Sequence, residues 1–360
     1  MTATPPPRAG SADPRPRSVV GHLDTEAGRI PLLSSDWSWR DRLDHVRCRL
    51  GSFRNRNRRP PVLYAVGSPG RDSEVVVTAN YGLTFDVVRR ALRGLDAWLL
   101  VLDTRGVNVW CAAGKGTFGT AELVHRVGAV SLDRVVGHRR LIVPQLGAPG
   151  VAAHEVQQAT GFRVHYGPVR ADDLPEYLRA GRRATPAMRR VRFGLLDRAV
   201  LFPMELMPAL RWYAVLAAAG LALLALAHGP AAAWSRAAPL LALTLVAIVA
   251  GAVVAPLALP LLPGRAFSVK GLVAGAPITA AALALLPGPA AGAPLVALAA
   301  MLFFPALSSY LTLQFTGSTT FTGISGVRKE MRWAVPLQAA AAAIALILVA
   351  SHALGAGGAR

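Results

Sequence analysis

The feature that most constrains this chain is an abrupt change in charge near residue 211. Residues 1–211 carry most of the arginine, whereas residues 212–354 contain almost no charged side chain. The chain is 53% hydrophobic and only 16% charged, which is too apolar for an ordinary soluble protein of 360 residues. The sequence therefore predicts two bodies, a soluble domain followed by an all-α transmembrane bundle.

The bundle is predicted to contain about five helices, because five apolar stretches approach the roughly 20 residues that cross a bilayer. The predicted spans lie near 211–228, 237–259, 270–287, 291–315 and 333–354. Basic residues fall between the second and third spans and between the fourth and fifth, namely Arg265, Lys270, Arg328, Lys329 and Arg332. Basic loops stay on the cytoplasmic side, so we expect a multi-pass protein of the cytoplasmic membrane with a cytoplasmic N-terminal domain and an outside C-terminus.

The excess of positive charge has two interpretations. Lys and Arg number 39 against 20 Asp and Glu, a net charge of +19. Nucleic-acid binding would need a basic stripe interleaved with aromatic residues, and no known pattern of that kind occurs here. Arginine that faces anionic lipid explains the charge, so membrane lipid is a predicted partner and nucleic acid is not.

Three segments frame the two bodies. Residues 1–34 are rich in Pro and Arg and have no apolar signal segment, which predicts a disordered tail. Residues 182–210 are predicted to form a basic linker to the membrane domain, 211–355. The polar run 314–326 is predicted to be a loop at the membrane surface.

Residues 35–181 alternate between apolar runs and helix-like segments. After a helix near 37–50, strands are expected near 62–67, 74–79, 98–103, 141–144 and 162–166. This order predicts an α/β domain with a Rossmann-like βαβ parallel sheet. Thr84 is predicted to cap one of its helices. Ligands bind such sheets beyond the carboxyl ends of the strands, so the candidate loops are Asn80–Thr84, Asn108–Thr117 and Gln145–Gly150.

The loop that starts at Asn108 contains two rare residues, Cys111 and Lys115, in a chain with 2 cysteines and very few lysines. The spacing Gly114-x-Gly116-x-x-Gly119 matches a dinucleotide fingerprint. The glycines begin well after the strand end, however, whereas a Rossmann loop needs them in the turn itself. The phosphate-binding Walker pattern fails as well, since no Ser or Thr follows Lys115.

Cys111 has two interpretations from the residues alone. It is either a small buried hydrophobe beside Trp110, or a soft thiolate donor aimed at a metal or cofactor. The rarity of lysine and the small residues nearby favour the second, because small residues let backbone approach a large flat ligand. Cys48 lies on the first predicted helix and is interpreted as a structural thiol. Two cysteines without C-x-x-C spacing predict no iron–sulfur cluster in this chain.

The segment NVWCAAGKGTFGT resembles the cap-helix motif of the HgcA family, the corrinoid proteins of microbial mercury methylation. The resemblance continues through TANYGLTFD (78–86), WLLVLDTRGVNVWCA (98–112), HRRLIVPQLGAPGVAAHEV (138–156) and YGPVRADDLPEYL (166–178). The same segments resemble, more weakly, the corrinoid-binding subunit of the acetyl-CoA-pathway iron–sulfur protein. The apolar spans fit the HgcA family and not that soluble relative.

The resemblance implies a corrinoid bound base-off, with Cys111 as the lower axial ligand of cobalt. The implied cap helix comprises Asn108, Val109, Trp110, Cys111, Ala112, Ala113, Gly114 and Lys115, and the implied neighbouring contacts are Thr84, Gly147 and Ala148. It further implies a methyltransferase that passes a cobalt-bound methyl group to Hg(II) and forms methylmercury. The implied protein partners are a ferredoxin-like electron donor, HgcB, and an upstream methyl donor. Two alternatives stay open: a corrinoid methyl carrier for another one-carbon acceptor, or a non-catalytic corrinoid- or metal-binding membrane protein.

Overall fold

The computed structural model describes residues 17–286, 293–319 and 324–358. The chain divides into two compact units, and each is considered by itself. The first comprises the described residues up to Cys48 together with Ser52–Val191, and the second comprises Arg49–Gly51 together with the described residues from Arg192 onward. The first holds a sheet with helices on both faces. The second holds the apolar helices.

The sheet of the first unit has seven strands. They are β1 (Val19–Thr25), β2 (Gly28–Leu33), β3 (Leu63–Val66), β4 (Glu74–Ala79), β5 (Ala97–Leu102), β6 (Arg140–Val143) and β7 (Arg163–Tyr166). Their order across the sheet is β1-β2-β3-β5-β4-β6-β7. The central strands β3 to β6 are almost entirely buried, which explains their continuous apolar sequences.

The expected parallel arrangement is found in the block β5-β4-β6-β7 and in the β2–β3 pair, whereas the whole sheet is mixed. Strand β3 runs antiparallel to β5, and β1 runs antiparallel to β2. The short turn between Val66 and Glu74 explains the first exception. A parallel crossover needs a dozen or more residues, so this turn forces the chain to reverse before β4.

The prediction of a disordered tail through residue 34 is wrong for residues 19–33, which form the β1–β2 hairpin. The side chains of Ile30 and Leu33 are 7% and 3% exposed and belong to the core. The Thr25 hydroxyl donates to the Gly28 carbonyl at 2.8 Å and closes the turn. The strands are short and contain Pro31 and charged residues, so composition alone concealed them. Residues 1–16 lie outside the described part of the chain.

Seven helices are described in the first unit. They are α1 (Trp39–Leu50), α2 (Gly82–Ala91), α3 (Val109–Gly114), α4 (Thr120–Ala129), α5 (Leu132–Val135), α6 (Ala153–Thr160) and α7 (Leu174–Arg179). Helices α2 and α7 cover one face of the sheet through Phe85, Val88 and Tyr177. Helices α3, α4 and α6 cover the other face.

The predicted cap at Thr84 is wrong, because α2 begins two residues earlier, at Gly82, with Tyr81 in the N-cap position. The Gly82 N–H donates to the Asn57 carbonyl at 2.8 Å. A Cβ atom at Gly82 would lie 2.5 Å from the Asn57 side chain, so only glycine allows this approach. The helix therefore begins where Gly82 contacts the loop at Asn57, two residues before the predicted start, and Thr84 lies in its first turn.

A buried ion-pair network joins α1 to α2. The Asp86 carboxylate accepts from Arg89 Nε at 2.9 Å and pairs with Arg59 Nη2 at 3.2 Å, while His45 Nε2 lies at 3.7 Å. Burial alone would raise the pKa of Asp86, but the contact with His45 and the charges of Arg59 and Arg89 outweigh it, and its pKa lies below the ordinary 3.8. The network also extends to α1, since Arg89 pairs with Asp41 at 3.0 Å.

Replacing Asp86 with Asn should therefore destabilise the first unit by about 3–5 kcal/mol near neutral pH, because buried arginine charge loses its partner. A carboxylate with a lowered pKa stabilises above its unfolded pKa and loses that contribution as the pH falls through the folded value. The deficit of Asp86→Asn should thus shrink below pH 3.8. Native-state hydrogen exchange of the β4 and β5 amides measures this unit alone. Asp24→Asn is the control, since the Asp24 side chain is 88% exposed; an equal effect there would contradict the prediction.

The second unit contains five helices long and apolar enough to cross a membrane, as predicted, within its described residues. These spans are Leu195–His228, Pro230–Leu257, Phe267–Leu285, Pro294–Gly317 and Ser325–Leu354. The helical segments within them are α8 (Leu195–Leu201), α9 (Pro203–His228), α10 (Pro230–Val249), α11 (Ala255–Leu257), α12 (Phe267–Leu285), α13 (Pro294–Gln314) and α14 (Ile324–Gly358), with a π turn at Ala250–Val254.

Two predicted boundaries differ from the structure. The first apolar helix begins at Leu195, inside the segment predicted as a linker. Arg328, Lys329 and Arg332 lie in the first turns of α14 and not in a loop. Basic side chains at a helix end can still reach the membrane surface. The composition therefore locates the apolar part of each span but not the residues at which the helix begins and ends. Of the polar run, Phe315–Ser318 forms a 3₁₀ turn, and residues 320–323 lie outside the described part.

Small residues and hydroxyl groups hold the bundle together. A Cβ atom at Gly251 would lie 2.5 Å from the Ser308 carbonyl oxygen, and one at Gly275 would lie 2.6 Å from Ser308 Cβ. The Ser308 hydroxyl donates to the Ala247 carbonyl at 2.9 Å, and the Thr312 hydroxyl donates to the Gly251 carbonyl at 2.8 Å. Close backbone approach with hydroxyl bonds across helices is the packing expected of membrane helices.

Substituting Gly251 with Ala should lower the thermal stability of the bundle by about 1–3 kcal/mol, because the new methyl group would push the π turn that follows α10 away from Ser308 of α13. Gly220→Ala is the matched control in α9, where no atom lies within 4 Å of the added Cβ. Alanine is the better helix former by about 1 kcal/mol, so the control should be neutral or stabilising. Far-UV circular dichroism of the detergent-solubilised chain compares the two. Equal melting of both variants would refute close packing at Gly251.

Candidate functional site

Three loops meet at the carboxyl edge of the parallel strands. Helix α2, which follows β4, packs on one face of the sheet, whereas α6, which follows β6, packs on the other. Helices that leave neighbouring parallel strands toward opposite faces open a crevice between the strand ends. By this rule a crevice is expected beyond Ala79 of β4 and Val143 of β6. The prediction that ligand-binding loops gather at this edge agrees with the strand order.

Asn80, the residue after β4, organises this edge. Its side-chain oxygen accepts hydrogen bonds from the Thr104 N–H at 3.1 Å, the Thr104 hydroxyl at 2.9 Å and the Gly106 N–H at 2.9 Å. Its amide nitrogen donates to Asp103 Oδ1 at 2.9 Å. Asn80 is 4% exposed. One buried amide therefore shapes the whole turn between β5 and α3.

The short helix α3 follows that turn and carries the rare cysteine. The Asn108 side chain is the N-cap, and its oxygen accepts from the Cys111 N–H at 2.9 Å. Val109, Ala112 and Ala113 face the core and are buried. Cys111 is a free, half-exposed thiol on the opposite side of the helix, and it lies beside the half-exposed Trp110.

The end of α3 turns sharply and is supported from below. The Ala112 carbonyl accepts from the Thr117 and Phe118 N–H groups at 3.0 and 3.1 Å, and Gly116 adopts a positive φ of 77°. Gly150 packs directly under the helix, where a Cβ atom would lie 3.1 Å from Ala113 Cα and against the Phe118 carbonyl. Helix α3 therefore rests on the loop after β6.

The structure brings most of the predicted site residues together and separates one. Residues Asn108 to Lys115 form one helical segment, and α3 contacts the turn Gln145–Gly147. Gly147 is buried with a Cβ position 2.5 Å from the Phe118 ring, so it packs the core, while its neighbour Ala148 is half-exposed. Thr84 lies at the same edge of the sheet but on α2, which covers the other face.

The sequence pattern did not single out several residues that support this site. Phe118 is 0% exposed and fills the space between α3 and Gly147. Glu122 accepts from the Asp103 N–H at 2.8 Å and from Arg126 Nη2 at 2.7 Å, which ties α4 to the end of β5. One sequence signal for such supporting residues is a polar residue that directly follows a buried strand, as Asn80 does after β4. The partners of such a residue become visible only in three dimensions.

The donor set limits which metal this site could bind. Among the described residues, no group of three or more His, Cys, Asp or Glu side chains could hold a metal ion. Cys111 alone could not retain a bare ion, because proteins bind such ions with several ligands. One thiol does fit a metal whose other positions are filled by a macrocycle. No atom lies within 4 Å of the Cβ positions of Gly114 and Gly116, so neighbouring residues do not cover the backbone at these two glycines, close to the thiol in sequence.

Comparison with known proteins shows that part of this chain is similar to subunits of CO dehydrogenase/acetyl-CoA synthase and of related complexes. Residues 54–178 match the family model of the CO dehydrogenase/acetyl-CoA synthase delta subunit. The acetyl-CoA decarbonylase/synthase complex subunit gamma of Methanopyrus kandleri is 34% identical over 120 residues, which is 33% of this chain and 26% of that protein. The corrinoid/iron-sulfur protein large subunit of Moorella thermoacetica is 29% identical over 167 residues, which is 45% of this chain and 34% of that protein.

The residues that match the family model lie within the first unit. The chain spans about a quarter to a third of the length of these curated relatives. The matched residues include α3 and the three loops at the carboxyl edge. From this similarity we conclude that the chain contains a corrinoid-protein-like domain.

Substituting Gly150 with Ala should loosen α3, because the new methyl group would collide with the Phe118 carbonyl and with Ala113. Overpacking of this kind costs about 1–3 kcal/mol. Amides of residues 112–118 should exchange faster with solvent, by about 10-fold or more for a local cost above 1.4 kcal/mol. Gly128→Ala in α4 is the control, since nothing lies within 4 Å of its added Cβ. Unchanged exchange at α3 in Gly150→Ala would contradict the packing described here.

Proposed function

We propose that this chain is a membrane-anchored, corrinoid-dependent methyltransferase that forms methylmercury from Hg(II), with Cys111 as the lower axial ligand of the corrinoid cobalt. The observation that carries the proposal is the position of Cys111. It is a half-exposed thiol on the outer side of a helix whose inner side is locked into the core. The similarity to a corrinoid/iron-sulfur protein supports the cofactor class. The resemblance of the Trp-Cys-Ala-Ala-Gly-Lys segment to the HgcA family supports the acceptor.

The chain's own residues would position the thiol. Asn108 holds the Cys111 N–H, and Gly150 and Phe118 support the helix from beneath, so the sulfur would stay on one side of the site. When bound, a corrinoid supplies a cobalt centre that accepts and releases a methyl group. A thiolate is a strong, soft donor, so ligation by Cys111 would increase the electron density at that centre.

The remaining contacts follow from the loops at the carboxyl edge. The outer side of the segment from Asn108 to Lys115 would lie beneath the ring, because it combines the thiol with small residues and an exposed glycine pair. Ala148 would border the ring from the loop after β6, and Thr84 would do so from the first turn of α2. Gly147 would act indirectly, since it is buried under Phe118.

Partners are needed for the reaction. With only 2 cysteines, the sequence cannot supply a four-cysteine cluster. Electrons that keep the cobalt reduced would come from a ferredoxin-like protein of the HgcB type, and the methyl group from an upstream methyl donor protein. The apolar helices would anchor the domain in the cytoplasmic membrane with the site in the cytoplasm, as the basic loops predict.

A corrinoid methyl carrier for another one-carbon acceptor is the second candidate. It is favoured by the relatives that are named as acetyl-CoA decarbonylase/synthase subunits. Both candidates use Cys111 and the same cofactor. They differ only in the acceptor, so a product assay separates them.

Replacing Cys111 with Ala should abolish the cobalt–thiolate absorption of the purified, corrinoid-loaded chain and reduce methylmercury formation by about 100-fold or more, since the metal loses its protein ligand. Absorption spectroscopy tests the ligand, and an assay with Hg(II), a methyl donor and a ferredoxin partner tests the reaction.

Cys48→Ala provides the matched control, because the Cys48 thiol is 1% exposed and accepts from Asn57 Nδ2 at 3.1 Å. It should keep both the absorption and the activity. Full methylation by Cys111→Ala would exclude the proposed ligand. A wild-type chain with normal absorption that never methylates Hg(II), yet transfers methyl to a one-carbon acceptor, would favour the second candidate.

A further inference from the structure

Helix α1 has an apolar outer face that no part of the first unit covers among the described residues. Its inner side carries the buried His45 and Cys48. The outer side carries four large apolar residues at spacings of four, three and four. They are Trp39, Leu43, Val46 and Leu50, with 68%, 44%, 50% and 45% of their surface exposed. Single exposed hydrophobic residues are ordinary, but four along one helix form a continuous stripe.

Only cationic side chains flank this stripe on the exposed face of α1. Arg40, Arg42 and Arg47 are exposed. The two acidic residues of the helix lie off this face, and both form ion pairs. Asp41 pairs with Arg89 at 3.0 Å, and Asp44 pairs with Arg47 at 3.5 Å. The residues that follow α1 add further exposed positive charge, at Arg54, Arg56 and Arg58.

An apolar stripe bordered by arginine is the pattern of a helix that lies in the interface of an anionic bilayer. The bilayer is also the surface that the chain itself brings near. The first unit ends at Val191, and the first apolar helix begins at Leu195. So short a connection keeps the domain close to the lipid and raises the effective concentration of the membrane around α1.

We propose that the outer face of α1 binds the anionic surface of the same membrane that the apolar helices span. The stripe would enter the headgroup boundary while the arginines contact lipid phosphates. Because Arg89 and Asp86 join α1 rigidly to α2, this contact would fix the orientation of the whole sheet relative to the bilayer. The carboxyl edge, where α2 begins, would then face one defined direction. The proposal depends on the apolar helices and not on any chemistry at Cys111.

A site-specific fluorophore in the full-length chain tests the contact. Val46→Cys is labelled with an environment-sensitive dye in a Cys111→Ala background, where the remaining Cys48 is buried. The chain is reconstituted into vesicles of phosphatidylcholine, or of an equimolar mixture with phosphatidylglycerol, each with a lipid-borne quencher. In the mixed vesicles we expect a blue-shifted emission and quenching at least about twofold stronger than at the control position. Quenching should weaken in pure phosphatidylcholine and at high salt.

The matched control is Val20→Cys, an apolar residue of β1 that is 65% exposed and lies outside the stripe. Quenching at residue 46 no stronger than at residue 20 would overturn the proposal. Equal quenching with and without phosphatidylglycerol would overturn the anionic specificity. A blue shift that appears only when a protein partner is added would show that α1 binds protein instead of lipid.

Two further variants separate lipid contact from folding. Leu43→Glu in the labelled chain should reduce the quenching at residue 46 to the control level, while β4 and β5 amide exchange stays unchanged, because Leu43 is exposed. Combined Arg40→Gln and Arg42→Gln substitutions should lower the quenching in mixed vesicles and leave that in pure phosphatidylcholine unchanged. Full quenching in both variants would overturn the proposal.

Discussion

The geometry of this domain depends on one buried amide. The Asn80 side chain holds Asp103, Thr104 and Gly106 in a single turn. A buried amide that is fully hydrogen-bonded fixes the conformation around it, since every alternative leaves a polar group without a partner. The turn is tight enough to require positive φ values at Arg105 and Gly106. The start of α3, and hence the direction of Cys111, follows from it.

Much of this arrangement could be predicted from the sequence, for identifiable reasons. The strands β3 to β6 are continuous apolar runs, because they are buried on both faces of the sheet. The apolar helices were recognisable from their composition, because a bilayer demands long uncharged segments. The candidate loops followed from topology, since the carboxyl ends of parallel strands share one edge. Each of these features is local or periodic.

The features that were missed depend on contacts between distant residues. The β1–β2 hairpin looks like a polar tail until β3 is present to cover Leu33. Helix α2 begins earlier than predicted because Gly82 contacts Asn57, which is far away in the sequence. Gly150 and Phe118 look ordinary, yet they support α3 through a packing contact that no periodicity reveals. Ligand contact at Gly147 stays a prediction, and the packing of Gly147 under Phe118 is a further contact that the sequence does not reveal.

The two cysteines show how environment assigns a role to the same chemical group. Cys48 is 1% exposed and accepts a hydrogen bond from Asn57, so its sulfur is already engaged inside the protein. Cys111 is half-exposed, and other groups hold its helix in place. The Asn108 side chain accepts a hydrogen bond from the Cys111 N–H, and Ala112 and Ala113 are buried on the other side of the helix. Its side chain is partly exposed and therefore accessible to a ligand. An accessible side chain on a well-supported helix is the arrangement that the proposed metal-binding role of Cys111 requires, because preorganisation would fix the donor atom before the metal binds.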